Sequence, residues 1–211
     1  MQKRNDNFQI FFVLGAPGSG KGTQIKLLAG KLSFFHFVSS KMGKEYIETR
    51  DDTETKKQKE KYENGFLWDS NWILRIIKEK TEELIKDKNN GKNKYSGIIY
   101  DGSPRTLFEA KELLFFLAER VGKEDIKVIE IDADENELRN RIKNRLVLEK
   151  RIDDKAEIFE TRIREYKKET LPALEFLKNN ISAIKINGNQ SVEAVHKEIM
   201  QKLNYDNCKI C

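Results

Sequence analysis

Cysteine and long apolar runs are what this 211-residue sequence has least of. Its two cysteines, Cys208 and Cys211, both stand at the C-terminal end. A single Cys-x-x-Cys pair supplies half of a four-ligand zinc site, so no structural zinc is expected. Two thiols at a chain end read as a frayed tail, and the expected setting is reducing and cytoplasmic. No apolar run approaches the roughly 20 residues that cross a bilayer, so no membrane partner is expected. Met1–Phe12 begins basic but leads into a glycine loop, which reads as a polar tail and a strand rather than a signal peptide. Charge of one sign is also missing. The 40 basic residues stand against 35 acidic ones, and the two signs are mixed along the chain. The net charge of +5 suits a small anionic substrate better than a nucleic acid. There is no internal repeat and no linker between independent units, so a single domain and a monomer are expected.

What is present is an alternation. Gln9–Leu14 is a short apolar run ended by glycines, and Lys21–Leu32 follows with Ile25, Leu27, Leu28 and Leu32 at helical spacing. Gly97–Tyr100 then predicts a strand, with a helix over Leu107–Val121. Ile126–Ile131 predicts another, with a helix over Glu135–Arg145. Ile181–Ile186, closed by Asn187-Gly188, precedes a last helix across Val192–Leu203. Strands alternating with helices of this length predict an α/β fold in three layers, with a mostly parallel central sheet covered on both faces. Ser39–Asn90 interrupts the alternation. It is polar and mostly helical. Thr53–Glu63 reads as a solvated helix face or a mobile segment, and Asp69 or Ser70 is placed to cap the helix carrying Trp72, Ile73, Ile76 and Ile77.

The most specific signal is Gly15-Ala16-Pro17-Gly18-Ser19-Gly20-Lys21-Gly22-Thr23. Glycines let a backbone curl until successive amide N–H groups point at phosphate oxygens. The helix that follows adds its positive end, and Lys21 supplies a movable charge for the β- and γ-phosphates. Thr23 is the nearest hydroxyl to a Mg²⁺ ion or a phosphate oxygen. ATP with Mg²⁺ is the expected cofactor.

The stretch Gly15–Gln24 closely resembles the loop of adenylate kinases and the related nucleoside monophosphate kinases, and four further segments resemble that family in order. Asp101–Thr106 looks like Asp-Gly-Phe-Pro-Arg-Thr, with Ser103 in place of phenylalanine. Arg141–Arg145 resembles Arg-Ile-x-x-Arg, Arg151–Asp154 resembles Arg-x-Asp-Asp, and Arg162–Tyr166 resembles Arg-Leu-x-x-Tyr. The resemblance implies a P-loop NTPase-like core at 1–38, 70–145 and 152–211, a nucleoside-monophosphate-binding insertion at 39–69 and a short lid at 146–151. It implies phosphoryl transfer between nucleotides, for which arginine suits because its forked donors match phosphate oxygens. By resemblance Arg105 holds the acceptor phosphate, Arg145, Arg151 and Arg162 clamp the transferring group, and Arg141 lies near the ATP base and phosphates. Ser40 and Gly102 belong to the acceptor side. Asp101 closes a strand where an acid reaches Mg²⁺ through water, or else it caps a turn before Pro104. Asp153 and Asp154 either pair with lid arginines or cap the next helix.

The acceptor side departs from the family pattern. An arginine expected after the second strand falls at about Glu45, leaving Lys41 or Lys44 to supply charge. Where adenylate kinases carry glutamine, this chain has Glu109. Glutamine offers a donor and an acceptor to adenine, whereas a carboxylate only accepts and so suits the two donors of guanine, or else turns to solvent. AMP is the expected acceptor, with GMP next and CMP or UMP after. Two rivals remain: a metabolite kinase sharing only the phosphate loop, and a nucleotide-binding protein without catalysis.

Overall fold

The computed structural model describes residues 8–149 and 156–205. Five parallel strands, β1 (Gln9–Leu14), β2 (Phe34–Val38), β3 (Gly97–Asp101), β4 (Ile126–Asp132) and β5 (Ser182–Asn187), form one sheet in the order β2-β3-β1-β4-β5. Side chains alternate across it. Ile10, Phe12 and Leu14 enter one apolar cluster, while Phe11 and Val13 enter another on the opposite face. The first face is covered by α4 (Ser70–Asn89), α5 (Leu107–Val121) and α8 (Leu171–Lys178). The second is covered by α1 (Lys21–Leu32) and α9 (Val192–Lys202). These are the three layers that the alternation predicted.

This topology fixes where a site can form. β1 and β3 are neighbours, yet α1 follows β1 onto one face and α5 follows β3 onto the other. The two connections part at the carboxyl edge of the sheet and leave a crevice, the usual ligand position in an open parallel sheet. Val13 of β1 and Val38 of β2 both pair with Asp101, so the end of β3 lies directly at that edge.

Two expectations are corrected, and one strand is added to the hydropathy reading. β2 is a strand that hydropathy did not single out, because Phe-Phe-His-Phe-Val does not alternate cleanly. The helix expected to stop at Arg145 is α6 and runs over Glu135–Glu149. Leu146, Val147, Leu148 and Glu149 offer no glycine or proline to stop it. Asp69 stands at the N-cap of α4 but makes no cap hydrogen bond, because Gln58 and Lys61 donate to its carboxylate instead. Both donors come from α3 (Thr53–Glu63), whose own N-cap is Asp52: its carboxylate accepts from the Thr55 N–H at 2.9 Å and the Thr55 hydroxyl at 2.7 Å. Highly charged α3 still has an inner face, on which Thr55 and Gln58 are buried. α2 (Ser39–Glu48) packs beside it, and α7 (Ala156–Glu165) passes into α8 through a π turn at Tyr166–Thr170. Arg151, Asp153, Asp154, Cys208 and Cys211 lie outside the described residues.

Candidate active site

Gly15–Gly20 curls between β1 and α1 with Gly18 at φ 87° and Gly20 at φ 90°, conformations that L side chains rarely adopt. Its close fit is visible at Gly15, where an added Cβ would lie within 3.0 Å of the Ile131 carbonyl and the Ser19 hydroxyl. The Ser19 N–H donates to the Ala16 carbonyl at 3.1 Å, and Lys21 Nζ donates to the same carbonyl at 3.1 Å. The loop is thus held closed on itself, with the N-terminus of α1 opening behind it.

At the end of β3, Asp101 faces the loop. Its Oδ2 lies 3.0 Å from His36 Nε2 on β2, and its backbone carbonyl accepts from the Ser39 hydroxyl at 2.9 Å. Burial works against the Asp101 charge, but the His36 hydrogen bond and the positive charges of Lys21 and Arg105 outweigh it and hold the carboxyl below the usual range. Gly102 follows at φ 84°, and a Cβ there would press on the Ser39 hydroxyl at 2.9 Å and on Arg105 Nη2 at 3.0 Å. Arg105 Nε donates to the Gly102 carbonyl at 2.8 Å, which fixes the guanidinium plane. Burial and the like charge of Arg162 both work against the Arg105 charge. Two cations held together in a cleft are a site for an anion, because an anion between them relieves both. Arg141 is anchored by Glu137 at 2.7 Å, with Nη1 3.8 Å from the position of a Cβ on Gly20.

Gly18–Lys21, His36, Ser39, Asp101, Gly102, Arg105, Arg141 and Arg162 open on one cavity of about 730 Å³. Ser40 and Thr23 also line it. Arg145 falls on α6, four residues beyond Arg141. Neither Lys41 nor Lys44 is among the lining residues: Lys41 is exposed beside Glu45, and Lys44 Nζ lies 4.6 Å from the centre of the Tyr62 ring. Among the described residues the hydrogen-bond partner of the Asp101 carboxylate is His36 rather than a turn N–H. His36, Ser70 and Trp68 carry no motif and were not legible as site residues, since only the fold brings them together. A Mg²⁺ site needs few protein ligands when phosphates supply the rest. The ionised Asp101 carboxylate and the exposed Thr23 hydroxyl at the same cavity fit that requirement.

Glu109 is neither turned to solvent nor unengaged. It is 2% exposed, its Oε2 accepts from the Arg105 N–H at 2.7 Å, and its Oε1 accepts from the Ser70 hydroxyl at 3.0 Å. Thr106 caps α5 one turn earlier by accepting from the Glu109 N–H at 3.1 Å. Burial pushes the Glu109 carboxyl up, opposed by the hydrogen bonds from Arg105 and Ser70 and by the Arg105 charge. A carboxyl whose value is raised on folding contributes stability below its ordinary value, and that contribution is lost as the pH rises through the raised one. Glu109→Gln is therefore expected to raise the urea midpoint at pH 7, with the difference closing as the pH falls through the raised value towards the ordinary 4.5. A variant less stable than wild type at pH 7 would contradict this.

A glycine loop between a strand and a helix, an acid at the adjacent strand end and arginines converging on one cavity define an ATP-binding phosphotransferase of the P-loop class. The chain matches the adenylate kinase family model over residues 13–182 and belongs to that family. It is 31% identical to an adenylate kinase of Chlamydia muridarum, covering 95% of this chain and 89% of that protein. It is 33% identical to one of Azobacteroides pseudotrichonymphae, covering 91% and 95%, and 29% identical to one of Chlamydia trachomatis serovar D, covering 92% and 90%. Among the described residues, no helix is long and apolar enough to cross a membrane.

Proposed function

We propose that the protein transfers the γ-phosphoryl group of ATP reversibly to AMP, giving two molecules of ADP. One observation carries the reading: the phosphate loop, Asp101 and the Arg105–Arg162 pair open on the same cavity, so two phosphate-bearing ligands can meet there. In this account Gly15–Thr23 holds the ATP phosphates, and Lys21 follows the γ-phosphoryl group. Arg105 grips the acceptor phosphate with Ser40 and Gly102 beside it. Arg145, Arg151 and Arg162 neutralise charge on the group in transfer, and Arg141 lies near the ATP base and phosphates. Asp101 and Thr23 would hold Mg²⁺, which when bound offsets charge on the β- and γ-phosphates. An oxygen of the acceptor phosphate forms the new bond to the γ-phosphorus as the bond to the β,γ-bridging oxygen breaks and ADP leaves. That oxygen is already ionised at neutral pH, so no general base is needed. The segment 39–69 serves as the acceptor-binding insertion and 146–151 as a short lid that keeps out water.

AMP is favoured over GMP by family membership and by the engagement of Glu109. Both of its oxygens already accept from protein donors, as expected of a group that orders Arg105 and Ser70 rather than reading two guanine donors. The test is diphosphate production from MgATP with AMP, GMP, CMP or UMP supplied separately. The expected result is a strong preference for AMP, retained in Glu109→Gln. A preference for GMP that moves to AMP in the variant would contradict the choice of acceptor and assign guanine to Glu109.

A further inference from the structure

α7 passes into α8 through the π turn at Tyr166–Thr170, in which the Leu171 N–H donates to the Tyr166 carbonyl five residues back. A π turn holds one residue more than an α turn and is frequent at functional sites. Its consequence here is angular. Eight residues of uninterrupted α-helix leave two side chains about 80° apart around the axis. The extra residue takes back about 100°, so Thr170 comes round to within about 20° of Arg162.

Both side chains act on one residue. The Arg162 charge bears on Arg105, and the Thr170 hydroxyl donates to the Arg105 backbone carbonyl at 2.9 Å. A threonine inside a helix commonly turns its hydroxyl back onto a carbonyl of the preceding turn. Buried Thr170 instead directs it to a residue 65 positions away. The main chain of Arg105 is thereby held from two sides, since its N–H donates to Glu109 Oε2 on α5 at 2.7 Å. A small cavity of about 40 Å³ is lined by Lys21, Gly102, Arg105, Arg162, Tyr166 and Thr170 among others, which puts the π turn beside the phosphate loop and both arginines. Joining two helices would be met by a regular α turn. The added residue brings a hydroxyl onto the main chain that carries an anion-binding guanidinium.

We propose that Thr170 is a positioning residue for phosphoryl transfer: through the Arg105 carbonyl it fixes the arginine of the acceptor phosphate relative to the helix that carries Arg162. The proposal rests on the monophosphate kinase reading above. A guanidinium meets its phosphate in one orientation, so a small shift of the main chain that carries it is felt at the reacting atoms. Thr170→Val keeps the shape and removes the donor. It is expected to lower kcat/KM for AMP about tenfold, the scale of one lost hydrogen bond, while the ATP KM stays within about twofold of wild type. Thr170→Ser keeps the hydroxyl and recovers most of the loss. In an Arg105→Ala background Thr170→Val lowers kcat/KM no further, because the group it positions is gone.

Thr170→Ala removes the donor without setting a methyl group against the Arg105 carbonyl, and it gives the same split between the two substrates should valine pack badly. A second measurement needs no turnover. The Kd of AMP, taken by isothermal titration calorimetry without ATP, is expected to rise in Thr170→Val and Thr170→Ala and to return in Thr170→Ser. An unchanged kcat/KM for AMP in a folded valine or alanine variant overturns the proposal. So do equal rises in both substrate KM values, a further loss on adding Thr170→Val to Arg105→Ala, or failure of both variants to fold, which would make the hydroxyl structural. A wild-type protein that binds AMP but converts no monophosphate overturns the kinase reading alone, and the calorimetric comparison then still reports whether Thr170 acts on the phosphate held by Arg105. A wild-type protein that binds no AMP overturns both.

Discussion

Lys21→Ala is expected to lower kcat by about 10³-fold while the folded protein stays intact. Lys21 Nζ lies on the Ala16 carbonyl of its own loop, and its charge acts on the Asp101 carboxyl. Both contacts lie within the phosphate site, so the ammonium is placed to follow the γ-phosphoryl group. Charge on that group is redistributed most in the transition state, so the loss falls on kcat more than on ATP binding. Steady-state kinetics with the ATP KM measured alongside checks both halves. A variant within a few-fold of wild type in kcat would remove Lys21 from the assignment.

Arg105→Ala is expected to lower kcat/KM for the acceptor by about 10²-fold or more, with thermal stability little changed. The two halves have different causes. Nε is fixed on the Gly102 carbonyl at 2.8 Å, so the guanidinium is held ready for a phosphate. Arg50, the arginine of the 39–69 insertion, lies over the Tyr46 ring and does not line the cavity, so it does not stand in. Burial and Arg162 both oppose the Arg105 charge, so removing it relieves repulsion that offsets the lost Gly102 hydrogen bond. Arg105→Lys keeps the charge but loses the fork, and it recovers only part of the rate. A parallel loss of stability and activity would mark Arg105 as structural.

The loop Gly15–Thr23 and most strands and helices were legible because each is a local signal: glycines before a lysine, apolar runs ended by turn residues, helical spacing. α1 and α5 occupy the very residues that spacing predicted. What was not legible depends on partners distant in sequence. Nothing near Asp69 says that Gln58 and Lys61 will take its carboxylate, so it reads as a helix cap and serves as a brace between α3 and α4. Glu109 reads as a base contact or a solvated residue. One of its two hydrogen-bond donors, Ser70, comes from 39 positions away. β2 was hidden because its mixed aromatic pattern fits neither period cleanly, and His36 became relevant only once β2 paired with β3 in register at Asp101. Gly43 shows the same limit in reverse: a glycine inside a helix reads as a weak point until the Trp68 indole packed against it is in view.

The most direct test of the account is the stoichiometry of nucleotides when the protein is mixed with MgATP and AMP. The account predicts that one ATP and one AMP disappear for every two ADP formed, that the reaction runs backwards from ADP alone, and that Lys21→Ala slows both directions together by about 10³-fold. ADP appearing with free inorganic phosphate while AMP is left untouched would contradict it, because the cavity would then hold a hydrolase rather than a meeting place for two nucleotides.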